Sequence, residues 1–195
     1  GFLLANGALS ADGDEKEIRK RLLGEEHDAV EAIIILPRNM FYTTDISVTL
    51  WILNKNKKAR TTVIGGETRH YRERTGEILF MDLRTWGEPF EKKYIKLSES
   101  DIKKAALRFH QWQRTDLGEY NDEAEFCKSV KVEELKDCSL VPSRYIDFKE
   151  RNERLGYEEK MNQIQVELSA IFSEETKSKQ AVMDVLRELG YGIKL

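Results

Sequence analysis

The sequence predicts an α/β fold, an open sheet of apolar strands with helices between them, followed by a helical C-terminal tail. Three observations predict it. Almost uninterrupted apolar runs recur at residues 30–36 (Val-Glu-Ala-Ile-Ile-Ile-Leu), 48–53 (Val-Thr-Leu-Trp-Ile-Leu) and 77–83 (Glu-Ile-Leu-Phe-Met-Asp-Leu). Charged segments with apolar residues at helical spacing come between and after them. The last stretch, 149–189, is densely charged and free of proline. The composition agrees. Of the 195 residues 40% are hydrophobic, enough for a core, so wholesale disorder is not expected; 34% are charged, which calls for long solvated helix. A net charge of −3 argues against a chain that coats phosphate generally.

The elements follow in order. Phe2-Leu3-Leu4-Ala5, stopped by Asn6-Gly7, reads as a buried strand that enters the domain midway, with no earlier partner. Asp12-Gly13-Asp14 offers carboxylates to the first turn of a helix over 15–23, whose inward stripe is Ile18, Leu22 and Leu23. Runs 30–36 and 48–53 have the character of parallel strands covered on both faces. Pro37 ends the first, and the polar cluster 54–58 ends the second. Residues 59–76, with Gly65-Gly66, read as an exposed loop or hairpin. Run 77–83 is a third strand. Ser98 caps a helix to about Trp112, with Asp101 three residues on and Ile102, Leu107 and Phe109 as its apolar contacts. A short strand at 126–132, a turn or short helix from 132–135 and an extended segment at 140–148, imposed by Pro142, complete the body.

In the tail, Met161, Ile164, Leu168 and Ile171 step by three or four, and Val182, Val185, Leu186 and Leu189 do the same. The pattern predicts two helices broken near Ser173, with a stop at Gly190. One stripe per helix suits an antiparallel pair, a seam for another protein's helix, or packing onto the chain's own domain. The division expected is 1–97 for the sheet, 98–148 for a mixed α/β segment, and 149–195 for the charged tail.

Chemistry-bearing devices are few. Cys127 and Cys138 form no CxxC pair, and His27, His70 and His110 are scattered, so no metal site is expected and both thiols read as free. No apolar run approaches the roughly 20 residues of a membrane span. With no leader pattern at the start, a cytoplasmic chain is the expectation. There is no phosphate-binding glycine loop and no nucleophile elbow. The informative segment is Leu36-Pro37-Arg38-Asn39-Met40-Phe41-Tyr42-Thr43-Thr44-Asp45-Ile46, which joins two strands. A loop at a strand's carboxyl end is a favoured ligand site, and an aromatic there stacks on a planar ligand. The plain alternative is that Phe41 and Tyr42 only close the core over the strand ends.

That segment, with Val48-Thr49-Leu50-Trp51-Ile52-Leu53-Asn54-Lys55 after it, resembles the N6-adenine DNA methyltransferase (modification, M) subunits of type I restriction–modification systems. The resemblance extends to Gly1–Lys20, to Ile78-Leu79-Phe80-Met81-Asp82, to Phe126-Cys127-Lys128-Ser129-Val130 and to Leu140-Val141-Pro142-Ser143-Arg144-Tyr145-Ile146. It covers most of residues 1 to 148. It implies a Rossmann-like methyltransferase sheet of which these residues form the C-terminal half. It also implies that the S-adenosylmethionine loop and the catalytic Asn-Pro-Pro-Phe/Tyr motif lie upstream of the segment matching Gly1. Neither occurs in this sequence, whose three prolines are nowhere adjacent.

The expectation is therefore a chain without catalytic or cofactor-binding residues, inactive alone, which contributes the target-base side of the site. S-adenosylmethionine would be a cofactor of the complete parent protein only. The resemblance places Phe41 against the flipped base, with Tyr42, Asn39 and Thr44 lining the same pocket. Lys55, Lys57, Lys58 and Arg60 are candidates for DNA phosphate contact, or else an ordinary solvated turn. Implied partners are DNA, the specificity (S) subunit and the restriction subunit. The other reading is a non-catalytic interaction module that binds a specificity subunit through its C-terminal helices. A half-sheet leaves an apolar edge, so self-association is expected.

Overall fold

A computed structural model describes residues 1–148 and 153–191. The chain divides into two compact units, Gly1–Lys149 and Glu150–Leu195. The first holds β1 (Phe2–Ala5), α1 (Asp14–Leu23), β2 (Val30–Ile35), β3 (Val48–Leu53), β4 (Arg60–Ile64), β5 (Glu67–Tyr71), β6 (Glu77–Asp82), β7 (Glu88–Phe90), β8 (Tyr94–Lys96), α2 (Glu99–Gln113) and β9 (Cys127–Lys131); the second holds α3 (Glu153–Glu188). Five strands form one sheet in the order β1-β3-β2-β6-β9, and β4-β5 and β7-β8 are separate hairpins.

The sheet's centre is where the aliphatic runs are densest. β2 is buried at all six positions and pairs parallel with β6. Successive side chains point to opposite faces, so the sheet has two cores. Ile33, Ile78 and Phe80 pack with Leu9, Leu23, Leu140 and Ile146 on one face. Ala32, Ile34, Leu79 and Met81 pack with Trp112, Phe126 and Cys127 on the other. The α/β class read from the strand runs is the class observed.

Several local expectations need correction. β3 runs antiparallel to both β1 and β2, with only Thr49 and Trp51 buried along its length. An apolar run marks a strand but carries no direction, which is set by the connection: the short 36–47 link turns the chain straight back. β1 is a strand but not a buried one. It lies at the sheet's edge, and Phe2 is 58% exposed. Periodicity reports what a strand could bury, not whether a neighbour is there to bury it.

α1 begins one residue early, behind Gly13 (φ 74°), with no side-chain cap. Asp14, Glu15 and Glu17 instead set negative charge in its first turn. Of its predicted inward stripe, Leu22 and Leu23 pack into the core, but Ile18 is 56% exposed and its neighbour Arg19, 2% exposed, is turned inward instead. Arg19 is buried because its guanidinium donates to three backbone carbonyls, those of Ala8 (3.0 Å), Ala11 (2.5 Å) and Cys138 (3.1 Å).

α2 has the predicted capping box between Ser98 and Asp101. Its inward residues are Ala105, Phe109 and Trp112, whereas Ile102 and Leu107 are exposed. Within residues 59–76, Arg60 to Tyr71 form the β4-β5 hairpin, turning through Gly65 and Gly66, both with positive φ. Residues 140–148 are not simply extended: Pro142–Arg144 is a 3-10 turn with proline in its first turn, where the missing N–H costs nothing.

In the second unit the expected break at Ser173 is absent, and α3 is one helix of 36 residues. Hydroxyls inside it are accommodated by bonding back one turn, Ser169 to Gln165 O and Thr176 to Phe172 O (both 2.8 Å). The stop at Gly190 is real. With φ 79° it lets its own N–H reach Arg187 O (3.1 Å) and the Tyr191 N–H reach Leu186 O (2.8 Å), the paired bonds of a Schellman ending. Among the described residues, no helix is long and apolar enough to cross a membrane.

Candidate functional site

Because β2 and β6 are parallel, their carboxyl ends lie on the same side of the sheet, and the segments leaving them meet there. The Leu83 N–H donates to Ile35 O (2.9 Å) and the Leu36 N–H to Val48 O (3.0 Å), which carries the ladders into both connections. The first connection is the 36–47 loop. Asn39 takes a left-handed turn (φ 58°), a conformation that asparagine tolerates better than most residues. Phe41 and Thr44 then form a backbone bridge. The Thr44 hydroxyl accepts from the Ile46 N–H (3.3 Å), and Arg38 Nε donates to Asp45 O (3.3 Å).

The second connection carries the β7-β8 hairpin, which docks on that loop. The Ile95 N–H donates to Asn39 O (3.0 Å). Lys93 Nζ pairs with Asp45 at 3.1 Å. Tyr42 meets Tyr94 edge to face at 4.7 Å between centroids. Between loop and hairpin is a cavity of about 290 Å³, walled by Met40, Tyr42, Phe90, Tyr94, Ile95 and Leu97, with Lys96 and Ile102 also on its lining. Such a concave, mainly apolar and aromatic space is the kind that accepts a planar group.

The structure brings Asn39, Phe41, Tyr42 and Thr44 together on this loop, but their side chains do different things. Phe41 is half-buried and packs against the Trp112 core. Tyr42 is 69% exposed and stands on the cavity wall. Asn39 contributes its backbone carbonyl to the hairpin, and the Thr44 hydroxyl is spent inside the loop.

The basic candidates are elsewhere. They follow β3, which runs opposite to β2, so they lie beyond the start of β2, where Val30 pairs with Leu53, while the aromatic loop lies beyond Ile35, paired with Thr49. Five residues of strand separate the two ends by about 16 Å. Nor are the four a cluster. Lys55 and Lys58 are exposed. Lys57 is 2% exposed, with its ammonium 2.5 Å from Asp28 and 3.2 Å from Val30 O. It holds the core and is no part of a phosphate-facing patch. Arg60 donates to Asn56 O (2.5 Å) and lies over the Tyr71 ring at 4.4 Å.

The sequence reading missed a polar network at that same end. Glu31, inside the most buried strand, accepts from Arg74 Nε (3.2 Å), Gln113 Nε2 (3.1 Å) and Asn54 Nδ2 (2.9 Å). Arg74, fully buried, also donates to Arg72 O (2.6 Å) and Gln113 O (3.1 Å). Burial pushes the Arg74 guanidinium below its ordinary value, and the Glu31 carboxylate opposes that shift. With its oxygens occupied by three donors, Glu31 ties β2 to the ends of β3 and α2 rather than waiting for a substrate. The signal was present: a lone glutamate in an otherwise aliphatic strand needs a buried partner. The β7-β8 hairpin was missed too, because its strands are only three residues each. Among the described residues, no group of three or more His, Cys, Asp or Glu is placed to hold a metal ion.

The family model for N-6 DNA methylase matches residues 1–154. A type I restriction enzyme HindI methylase subunit from Haemophilus influenzae is 34% identical over 194 residues, covering 97% of this chain and 40% of that protein. A type I restriction enzyme MjaIX methylase subunit from Methanocaldococcus jannaschii is 30% identical over 193 residues, covering 98% of this chain and 32% of that protein. The crystal structure of a type I restriction–modification methyltransferase subunit from Streptococcus thermophilus superposes with a TM-score of 0.56 at 26% identity, over 74% of this chain and 26% of that one. The chain thus spans two-fifths or less of the length of these relatives.

Proposed function

Since the chain belongs to the N-6 DNA methylase family and is part of a type I modification subunit, we propose that it forms the target-base side of an adenine-N6 DNA methyltransferase. One observation supports this above the rest: the aromatic 39–46 loop sits at the carboxyl end of the parallel β2/β6 pair and walls a cavity. Ligands of open α/β sheets bind at that end. Turning an adenine out of the duplex costs a few kcal/mol, and stacking on an aromatic ring returns about 1–3 kcal/mol per base. Tyr42 is the loop's ring on that cavity, beside Phe90 and Tyr94, while Phe41 is half-buried against the core, with Asn39 and Thr44 shaping the loop that carries both.

S-adenosylmethionine supplies the methyl group in this family, but the cavity beside the 39–46 loop does not fit it. The cavity beside the loop is lined by apolar and aromatic side chains and one lysine, with no carboxylate to accept ribose hydroxyls. Donor binding and the Asn-Pro-Pro-Phe/Tyr motif are therefore assigned to other residues of the parent protein. Alone, this chain is expected to be inactive. Calorimetric titration of the chain with S-adenosylmethionine should show no binding in the micromolar range; micromolar affinity would overturn the assignment. DNA, acted on in the cytoplasm, is the substrate on this reading, with Lys55 and Lys58 left as phosphate contacts. Their separation from the loop means that they would touch the duplex well away from the extruded base.

A second reading, an interaction module, is favoured by α3. Met161, Ile164, Leu168, Ile171, Val182, Val185 and Leu189 are all exposed on this unit. They fall on one continuous three–four register, with Glu175 and Ser178 filling its intermediate steps. A seam in one register, apolar on either side of that polar middle, is what a helix of a specificity subunit would pair with. The restriction subunit would join the same assembly. Co-elution with a cognate specificity subunit in gel filtration is expected, and its failure would remove this reading.

A further inference from the structure

The β7-β8 hairpin has little packing of its own. Each strand has three residues and β7 is exposed throughout, which is too short for independent stability. Its backbone is also unusual. Glu91 (φ 45°) and Lys92 (φ 54°) are consecutive non-glycine residues in the left-handed region, a strained arrangement that persists only where surrounding contacts hold it. Gly87 (φ 92°) is obligatory at the hairpin's foot, because a Cβ there would lie 2.7 Å from both Ile95 Cγ2 and Lys96 O. Outward contacts of the hairpin converge on one place. The Ile95 N–H donates to Asn39 O, Lys93 pairs with Asp45, and Tyr94 abuts Tyr42, whose hydroxyl is 3.5 Å from Glu91.

We propose that the β7-β8 hairpin is a clamp that positions the 39–46 loop, with Tyr94 and Lys93 as positioning residues acting through Tyr42 and Asp45. The inference rests on the target-base reading of that loop for its functional consequence, but not for the clamping itself. The loop has only one cross-loop backbone bridge of its own, between Phe41 and Thr44. Holding a stacking ring ready before the base arrives is what makes an exposed aromatic effective, since ordering it afterwards would subtract from the binding.

Two measurements test this. Hydrogen exchange of the chain should show residues 42–46 exchanging up to about tenfold faster in Tyr94→Ala and in Lys93→Ala, with the β2 and β6 amides unchanged. Tyr94→Phe, which keeps the ring contact, should restore protection. Unchanged exchange in both alanine variants would overturn the clamp. Should Tyr94→Ala also expose β2 and β6, the exposed Lys93→Ala decides alone, acceleration at 42–46 supporting the clamp and no change refuting it. The second measurement uses the complete methylase with its specificity subunit and 2-aminopurine at the target position. Tyr94→Ala should lower the fluorescence gain and kcat while leaving KM for the methyl donor unchanged, and Tyr94→Phe should recover both. A full fluorescence gain in Tyr94→Ala would refute the positioning role. No gain in the wild-type enzyme would instead refute the target-base reading, with the exchange result still standing for or against the clamp.

Discussion

Glu31 and Arg74 show how much of this protein's specificity is decided by single buried charges. Neither is at the aromatic end of the sheet, yet the glutamate joins four segments distant in sequence through Arg74, Gln113 and Asn54. Removing one member leaves the other charged and unpaired in the core. Arg74→Met or Glu31→Leu should therefore cost about 3–5 kcal/mol in urea denaturation, while the double substitution should recover part of the loss. The two cysteines separate on the same ground. Cys127 is buried and burial pushes its thiol up, whereas Cys138 is half-buried. Alkylation of the native protein should label Cys138 first, and Cys127 only on unfolding. Phe41 and Tyr42 also part company here. Tyr42→Ala removes an exposed ring and should change stability by no more than about 0.5 kcal/mol, whereas Phe41→Ala also opens the core.

At the scale of elements, local chemistry and tertiary burial can be told apart. The start of α2 is a local matter: Ser98 and Asp101 exchange hydrogen bonds across the first turn, each near 3.0 Å. Ser98→Ala should cost about 1 kcal/mol, read as a lower denaturation midpoint with an unchanged slope. That cap was legible from four residues. The inward face of the same helix was not, because Ile102 and Leu107 are as apolar as Phe109 and only the position of the sheet decides which are covered. α1 makes the point more sharply, since an arginine is buried on it beside Leu23 while Ile18 is exposed. α3 shows the opposite case, in which the apolar register was legible and its continuity was not. A serine serves as an N-cap or sits in a helix interior with equal ease, so Ser173 alone could not decide. Leu168→Lys should leave the helicity of α3 unchanged by circular dichroism and abolish co-elution with a specificity subunit.

For the whole molecule, the sheet's asymmetry matters most. One edge ends in β9, the other in β1, whose Phe2, Leu3 and Leu4 are exposed. An exposed apolar edge strand pairs with whatever is offered. The isolated chain should show a mass in light scattering that rises with concentration, and Leu3→Lys should shift it towards monomer. A wild-type chain that stays monomeric throughout would count against this. The sheet's two ends are the other large-scale feature. The expected basic patch and the expected base pocket were close in sequence, at residues 55–60 and 39–44, but β3 carries the chain from one end of the sheet to the other between them. Closeness in sequence is thus not closeness in space: a strand's length separates them.

By itself the sequence determined the five strands of the main sheet and the helices α1 and α2, where α2 starts and where α3 stops, and which loop carries the aromatics. These depend on composition, spacing and chemistry within a few residues. Only the tertiary structure decided that β3 runs antiparallel, that β1 lies exposed at an edge, that Lys57 and Arg19 point inward, and that a short hairpin is docked on the 39–46 loop. Each of those is a relation between segments far apart in the chain. Burial and pairing are set by which neighbour the fold supplies, and no local pattern contains that neighbour.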